Sequence, residues 1–264
     1  MFRRSAWVLM ALAAILLAAC AHAAYTNRSQ LLLISEGQEM ALGLQSAQEV
    51  LKKEKESHDP FLVERVQRVG WRIAAAANKP EYKWEFHVVQ KDVVNAFCLP
   101  GGKVFVYSGI LDLTTSNDEL AAVMGHEIAH ALLRHGGERM SMALMTQLGG
   151  EAASIALGST VSPAASQVFN QAYGVGAQVG VLLPHSRAQE SEADEVGMIL
   201  AAKAGYDPAG ALSLWGKMDA YAKSKGQNGP AWLSTHPTNA ERIAAIKAKM
   251  GPIRARYFQR AELR

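Results

Sequence analysis

Five consecutive residues, His126-Glu127-Ile128-Ala129-His130, limit most sharply what this chain can fold into. Histidines four apart share one face of a helix, so both imidazoles reach a single ion only if the segment is helical. The flanks agree. Ser116-Asn117-Asp118-Glu119 fits a capping box, and Leu120, Ala121, Val123 and Leu132 supply a buried face. The spacing predicts a helix from the Ser116 cap to about His135, stopped at Gly136-Gly137. A chance match to the three fixed positions arises in roughly one chain per hundred of this length, so the buried context decides. Two histidines and a glutamate placed in a core without an ion would each need partners of their own.

Imidazoles at this spacing suit zinc, one ion per chain. Glu127 sits one residue on, aimed at a metal-bound water rather than at the metal. Zinc lowers the pKa of that water to about 7, and the carboxylate takes its proton as it attacks a peptide carbonyl. A catalytic zinc keeps three protein ligands and one open position, so a third ligand must come from elsewhere. Some sixty residues later, Glu190 and Asp194 lie four apart on another predicted helix, whereas Glu192 points elsewhere. One carboxylate can bind zinc while the other holds a ligand histidine by its second nitrogen. Spacing alone leaves open which does which. His135, five residues past His130, faces away from it and reads as structural.

The rest of the pattern is α+β, mostly helical with one small sheet. A long helix is predicted over 28–57 and a second from Pro60 to Ala77, broken by Asn78-Lys79-Pro80. Trp84 to Val89 has strand composition. Asn95 to Leu99, the turn Pro100-Gly101-Gly102 and Lys103 to Tyr107 continue it as a hairpin. Further helices are predicted at 138–157, 164–182, 186–204, 208–222 and 237–260. The apolar stretch 152–183 is interrupted by Ser159, Thr160, Ser162, Pro163, Gln167, Asn170 and Gln171, and reads as core helices rather than a membrane span.

At the N-terminus, Arg3 and Arg4 precede a short apolar run, Ala6 to Ala19, the pattern of a secretory signal. The division expected is a signal peptide over 1–19 and one domain over 20–264. Leu17-Ala18-Ala19-Cys20 resembles a bacterial lipobox, with Cys20 carrying lipid after cleavage; Ala21, not Asp, implies the outer membrane under the lipoprotein sorting rule. Acyl chains on Cys20 would anchor the protein at the periplasmic face without a spanning helix. Removing the leader leaves a formal charge of about +1, which argues against a nucleic-acid partner. Cys98 is then the sole remaining thiol, read as a small buried hydrophobe, with an intermolecular disulfide as the alternative.

Residues 95–102, the histidine motif, Ser186-Arg187 through Asp194, and Ser234-Thr235-His236-Pro237 with Arg242 together resemble the CaaX-prenyl-protease/HtpX family of metalloendopeptidases. The likeness is strongest to its periplasmic lipoprotein members and runs from about residue 30 to 250. It implies a zincin-type domain, with the sheet beside the metal helix. Its E-x-x-x-D pattern falls on Glu190 and Asp194, implying that Glu190 is the third ligand and Asp194 its neighbour's support. Cys98 departs mildly from the family's plain small apolar residue. No tetratricopeptide-like extension is expected after residue 250.

The resemblance also implies that the strand 103–107 lines the cleft, with Gly102 and Val104 offering main-chain hydrogen bonds to an extended substrate. Asn95 holds either substrate or its own turn. His236 and Arg242 occur at a spacing where related enzymes place an oxyanion-side histidine and arginine near the metal. Alternatively the loop from Lys223 to Leu233, with Gly226 and Gly229, lets His236 take the open metal position; the plainest reading is a Thr-His-Pro helix stop and a surface arginine. The function expected is endoproteolysis of unfolded or misassembled envelope proteins, with envelope assembly factors as further partners. A zinc-stabilised chaperone of outer-membrane proteins is the alternative, and Glu127 is the residue such a chaperone would not need. An aminopeptidase would need an acidic cluster for the substrate's amine, and the sequence offers none.

Overall fold

A computed structural model describes residues 20–147, 186–225, 231–237 and 240–259 of the 264. The leader, the helix predicted at 164–182 and the whole apolar stretch 152–183 lie outside the described residues. The described residues open with a hairpin, β1 (Cys20–His22) and β2 (Ser29–Leu31), pairing Cys20 with Leu31, and β2 takes the start of the span where the first long helix was expected. Tyr25 and Asn27 take left-handed backbone in its turn. The helix α1 begins only at Glu36 and ends at Lys53, because Ser35 and Gln38 close a capping box overlooked in the sequence. Helix α2 (Pro60–Ala77) starts with proline in its first turn and ends at Asn78, in the left-handed conformation that closes helices.

Strands β3 (Glu85–Val89), β4 (Ala96–Leu99) and β5 (Lys103–Tyr107) form a sheet in the order β3-β5-β4. β5 is parallel to β3 and antiparallel to β4. Every residue of β5 is buried, so it reads as a continuous apolar run rather than an alternation. Val104 and Val106 join the core beneath the metal helix; Phe105 and Tyr107, on the opposite face, pack in a second cluster with Leu42, Ala47 and Val50 of α1.

After the short α3 (Ser108–Leu113), helix α4 (Asn117–Leu132) carries the histidine motif, with Ser116 and Glu119 forming the predicted box. Its end differs from expectation. Gly136 and Gly137 do not stop it: Arg134 breaks the chain with φ 56°, and α5 (His135–Gln147) restarts through both glycines. Arg134 donates to the Ile34 carbonyl and to buried Glu39, and a Cβ on Gly137 would strike that carboxylate at 2.4 Å. Gly137 serves close packing.

Helix α6 (Arg187–Lys203) crosses α4 with backbones in near contact. A Cβ on Gly125 would lie 2.7 Å from the Gly197 carbonyl oxygen, and one on Gly197 would lie 2.8 Å from the His126 nitrogen. The crossing therefore sets Glu190 and Asp194 opposite His126 and His130. Helices α7 (Gly210–Lys225), α8 (Ala231–Thr235) and α9 (Ala240–Tyr257) complete the described architecture, α+β and mostly helical. No helix among the described residues is long and apolar enough to cross a membrane.

Candidate metal centre

Four side chains from three elements converge in the core: His126 and His130 from α4, Glu190 from α6, and His236 just after α8. All are buried, none more than 6% exposed. His126 Nε2 lies 3.0 Å from His130 Nε2 and 3.2 Å from His236 Nδ1. Glu190 Oε1 lies 3.3 Å from His130 Nε2 and 3.0 Å from His236 Nδ1. Tetrahedral zinc with bonds of about 2.0–2.1 Å separates its ligand atoms by about 3.3 Å. The separations of 3.0–3.3 Å come close to that edge length, so the donor set fits a tetrahedral cation.

The surroundings orient the ligands. Asp194 Oδ1 lies 3.0 Å from His126 Nδ1, the nitrogen turned away from the cluster. Arg242 grips Asp194 through Nε at 2.6 Å and Nη2 at 2.8 Å, pairs with Glu190 through Nη1, and lies 3.9 Å over the Trp215 ring. Burial opposes a charge on His126, yet Asp194 and Glu190 outweigh it and raise the imidazole to about 9. Burial also pushes Glu190 up, but the facing histidines hold it well below the carboxylate range. His130 is driven well down, chiefly by burial.

Glu127 borders the cluster, 3% exposed. Its Oε1 accepts the Trp232 indole N–H at 2.6 Å and lies 3.5 Å from His236 Nε2. Trp232 is fully buried, stacked on Trp215 at 5.0 Å, and its main-chain N–H donates to the Val94 carbonyl at 3.2 Å. The gap between the metal helix and the sheet, where a cleft was expected, is thus covered by α8. An open cavity of about 510 Å³ lies instead between α6 and α9, reaching Glu190, Asp194 and Arg242 over a floor of Met198, Ala245 and Ile246.

The structure places the remaining expected residues as follows. His236 and Arg242 are both at the cluster, His236 as a fourth donor and Arg242 as the clamp on two carboxylates rather than a surface residue. Gly102 and Val104 are not substrate-accessible. β5 is the central strand, its main chain engaged by β3 and β4, and the strand packed against the metal helix is β4. Gly102 makes the hairpin turn at φ 87°, against Trp84. Asn95 is buried, and its carbonyl accepts from Tyr107. Cys98 is buried on the face toward the metal helix, and burial pushes its thiol far up, which suits an inert side chain rather than a disulfide partner.

Trp232, Gly125 and Gly197 escaped the sequence reading, and His135 was misplaced by it. Trp232 carried no spacing signal, and the Gly125–Gly197 crossing is visible only between two distant segments. His135 was expected to face away from His130, but the break at Arg134 turns its Nδ1 to within 2.9 Å of His130 Nδ1.

Comparison with known proteins agrees with this geometry. The sequence pattern of peptidase family M48 matches residues 60–250. The mitochondrial metalloendopeptidase OMA1 of Schizosaccharomyces pombe is 39% identical over 184 residues, 69% of this chain and 51% of that protein. Human OMA1, a mitochondrial metalloendopeptidase, is 32% identical over 177 residues, 62% of this chain and 32% of its own. The Escherichia coli beta-barrel assembly-enhancing protease is 28% identical over 236 residues, 87% of this chain and 47% of its own. The chain spans from about a third to about half the length of these relatives. With the family pattern matching residues 60–250, from α2 into α9 and across both helices that carry the cluster, the chain belongs to peptidase family M48.

Proposed function

We propose that this chain is a zinc-dependent endopeptidase acting on unfolded or misassembled proteins of a bacterial envelope. The observation that carries the reading is Glu127, a carboxylate that is not among the four converging donors yet stands beside them. His126, His130 and Glu190 would hold zinc, which would supply a Lewis acid to activate water. Glu127 stands where it would accept a proton from the attacking water and return it to the leaving amine. Asp194 holds the His126 tautomer, and Arg242 holds Asp194 and Glu190 in register. His236 offers a fourth donor atom rather than aiming at an oxyanion, and Trp232 donates to Glu127, so α8 serves as a cover over the site.

The finer reading has two supports: kinship with the lipoprotein members of the CaaX-prenyl-protease/HtpX group rests on the motif residues, and anchoring by Cys20 in the outer membrane rests on the leader pattern. The name of the Escherichia coli relative favours an envelope role; the mitochondrial names of the OMA1 relatives favour none. Purified mature protein is expected to degrade casein, to stop when a chelator strips the metal, and to resume on zinc addition. Casein bound and kept soluble but never cut, at any zinc concentration, would replace this reading with the zinc-stabilised chaperone.

A further inference from the structure

The two metal histidines are supported by different chemistry. His126 turns its Nδ1 to Asp194 directly. His130 turns its Nδ1 to another imidazole, the Nδ1 of His135 at 2.9 Å, and His135 Nε2 lies 3.1 Å from Glu192 Oε2. An imidazole that offers Nε2 to a metal carries its proton on Nδ1, so His130 must donate and His135 must accept. His135 is then protonated on Nε2 and donates to Glu192. One assignment satisfies every atom of the row.

The far end is fixed as well. Thr26 Oγ1 donates to Glu192 Oε1 at 2.6 Å and Arg28 Nε to Oε2 at 2.7 Å, both from the β1–β2 turn. Arg28 also holds Glu138 of α5 through two 2.7 Å bonds, and Gln189 donates to the same carboxylate. His135 is fully buried, and Glu192 is 9% exposed. Neither is among the metal donors.

We propose that His135 and Glu192 are positioning residues for the metal, a carboxylate–histidine relay that fixes the tautomer and ring plane of His130, held from outside by the N-terminal turn. The inference rests on the metal reading of the cluster. Outer partners of metal-bound histidines typically carry 10- to 100-fold in metal affinity. The relay differs from a direct carboxylate in that the acceptor facing His130 is a neutral ring nitrogen, so its loss should alter the ligand field without adding or removing charge at the ligand.

The test uses the full mature chain, with zinc affinity measured by chelator competition and the absorption bands of the cobalt-substituted protein recorded alongside. His135→Leu should weaken zinc by about 10- to 100-fold and shift the cobalt bands. His135→Asn, whose Oδ1 can replace the lost acceptor, should recover most of both. Arg28→Met, outside the core, should move the cobalt bands the same way by less, which keeps the test open if His135→Leu folds poorly. Unchanged affinity and bands in His135→Leu and Arg28→Met, or equal losses in Leu and Asn variants, would overturn the relay. Wild-type protein that bound neither metal, or bound it equally after His126→Ala, would overturn the metal reading beneath it.

Discussion

The two sides of the metal cluster are built differently. On one side α4 and α6 cross at two glycines in backbone contact, each helix started by a capping box, their ligands locked by Asp194, Arg242 and the His135 row. On the other, a five-residue helix presents Trp232 and His236. That helix is held by an indole bond to Glu127, one main-chain bond to Val94 and the stack on Trp215. The first arrangement cannot yield without losing the core. The second consists of contacts that can be exchanged for a substrate's, main chain on the sheet side and a donor on the metal side. The difference separates what creates the site from what covers it.

The permanent side can be broken by acid. Burial alone would raise Glu119, but Lys217, Ser213 and the backbone N–H groups of Ser116 and Thr115 depress it to about 2. A carboxylate depressed in the folded state contributes stability that is complete above its unfolded pKa and is lost as pH falls through the folded one. Stability should therefore fall by about 3 kcal/mol between roughly pH 4.5 and 2 from this group alone, and Glu119→Gln should flatten that fall in urea titrations. A smaller break is Gly197→Ala. The added methyl meets backbone rather than a movable side chain, so a loss of about 1–3 kcal/mol and weaker zinc binding are expected from thermal melts and metal titration.

The covering side should respond in the opposite sense. His236→Ala leaves three ligands and an open position, so cleavage of unfolded substrate should accelerate, by about tenfold for each 1.4 kcal/mol that holding His236 had contributed. Trp232→Phe keeps the ring on Trp215 and removes one hydrogen bond to a carboxylate, worth about 1.5–3 kcal/mol where it is made. Part of that returns as solvent reaches Glu127, so a gain smaller than that of His236→Ala is expected in the same assay. Slower cleavage in both variants would make α8 part of the catalytic apparatus instead of its cover.

How much of this was legible in the sequence follows the same division. The metal helix, its cap, the α2 span and the β4–β5 hairpin all depend on short-range signals: periodicity, Ser-x-x-Glu, Pro at a first turn, a Gly-Gly turn. Glu190 and Asp194 could be placed on one helix face, though only their likeness to a family assigned them different tasks. What the sequence hid depends on contacts between distant segments. Arg134 takes a left-handed backbone because Glu39 and Ile34, ninety-five and a hundred residues earlier, hold its guanidinium. That break, invisible locally, redirects His135. The Ser35 box was overlooked inside an apparent long helix, and the central position of β5 could not be told from an edge by composition.

Glu127→Gln tests the central claim most directly. The amide keeps the size of the carboxylate and is no metal donor in this arrangement, so zinc content by elemental analysis should match wild type. The proton acceptor is gone, and general-base losses of about 100- to 10,000-fold are typical. The account predicts full zinc, normal binding of an unfolded protein, and an initial cleavage rate at least about a hundredfold lower. Full zinc with cleavage above about a tenth of the wild-type rate would contradict it.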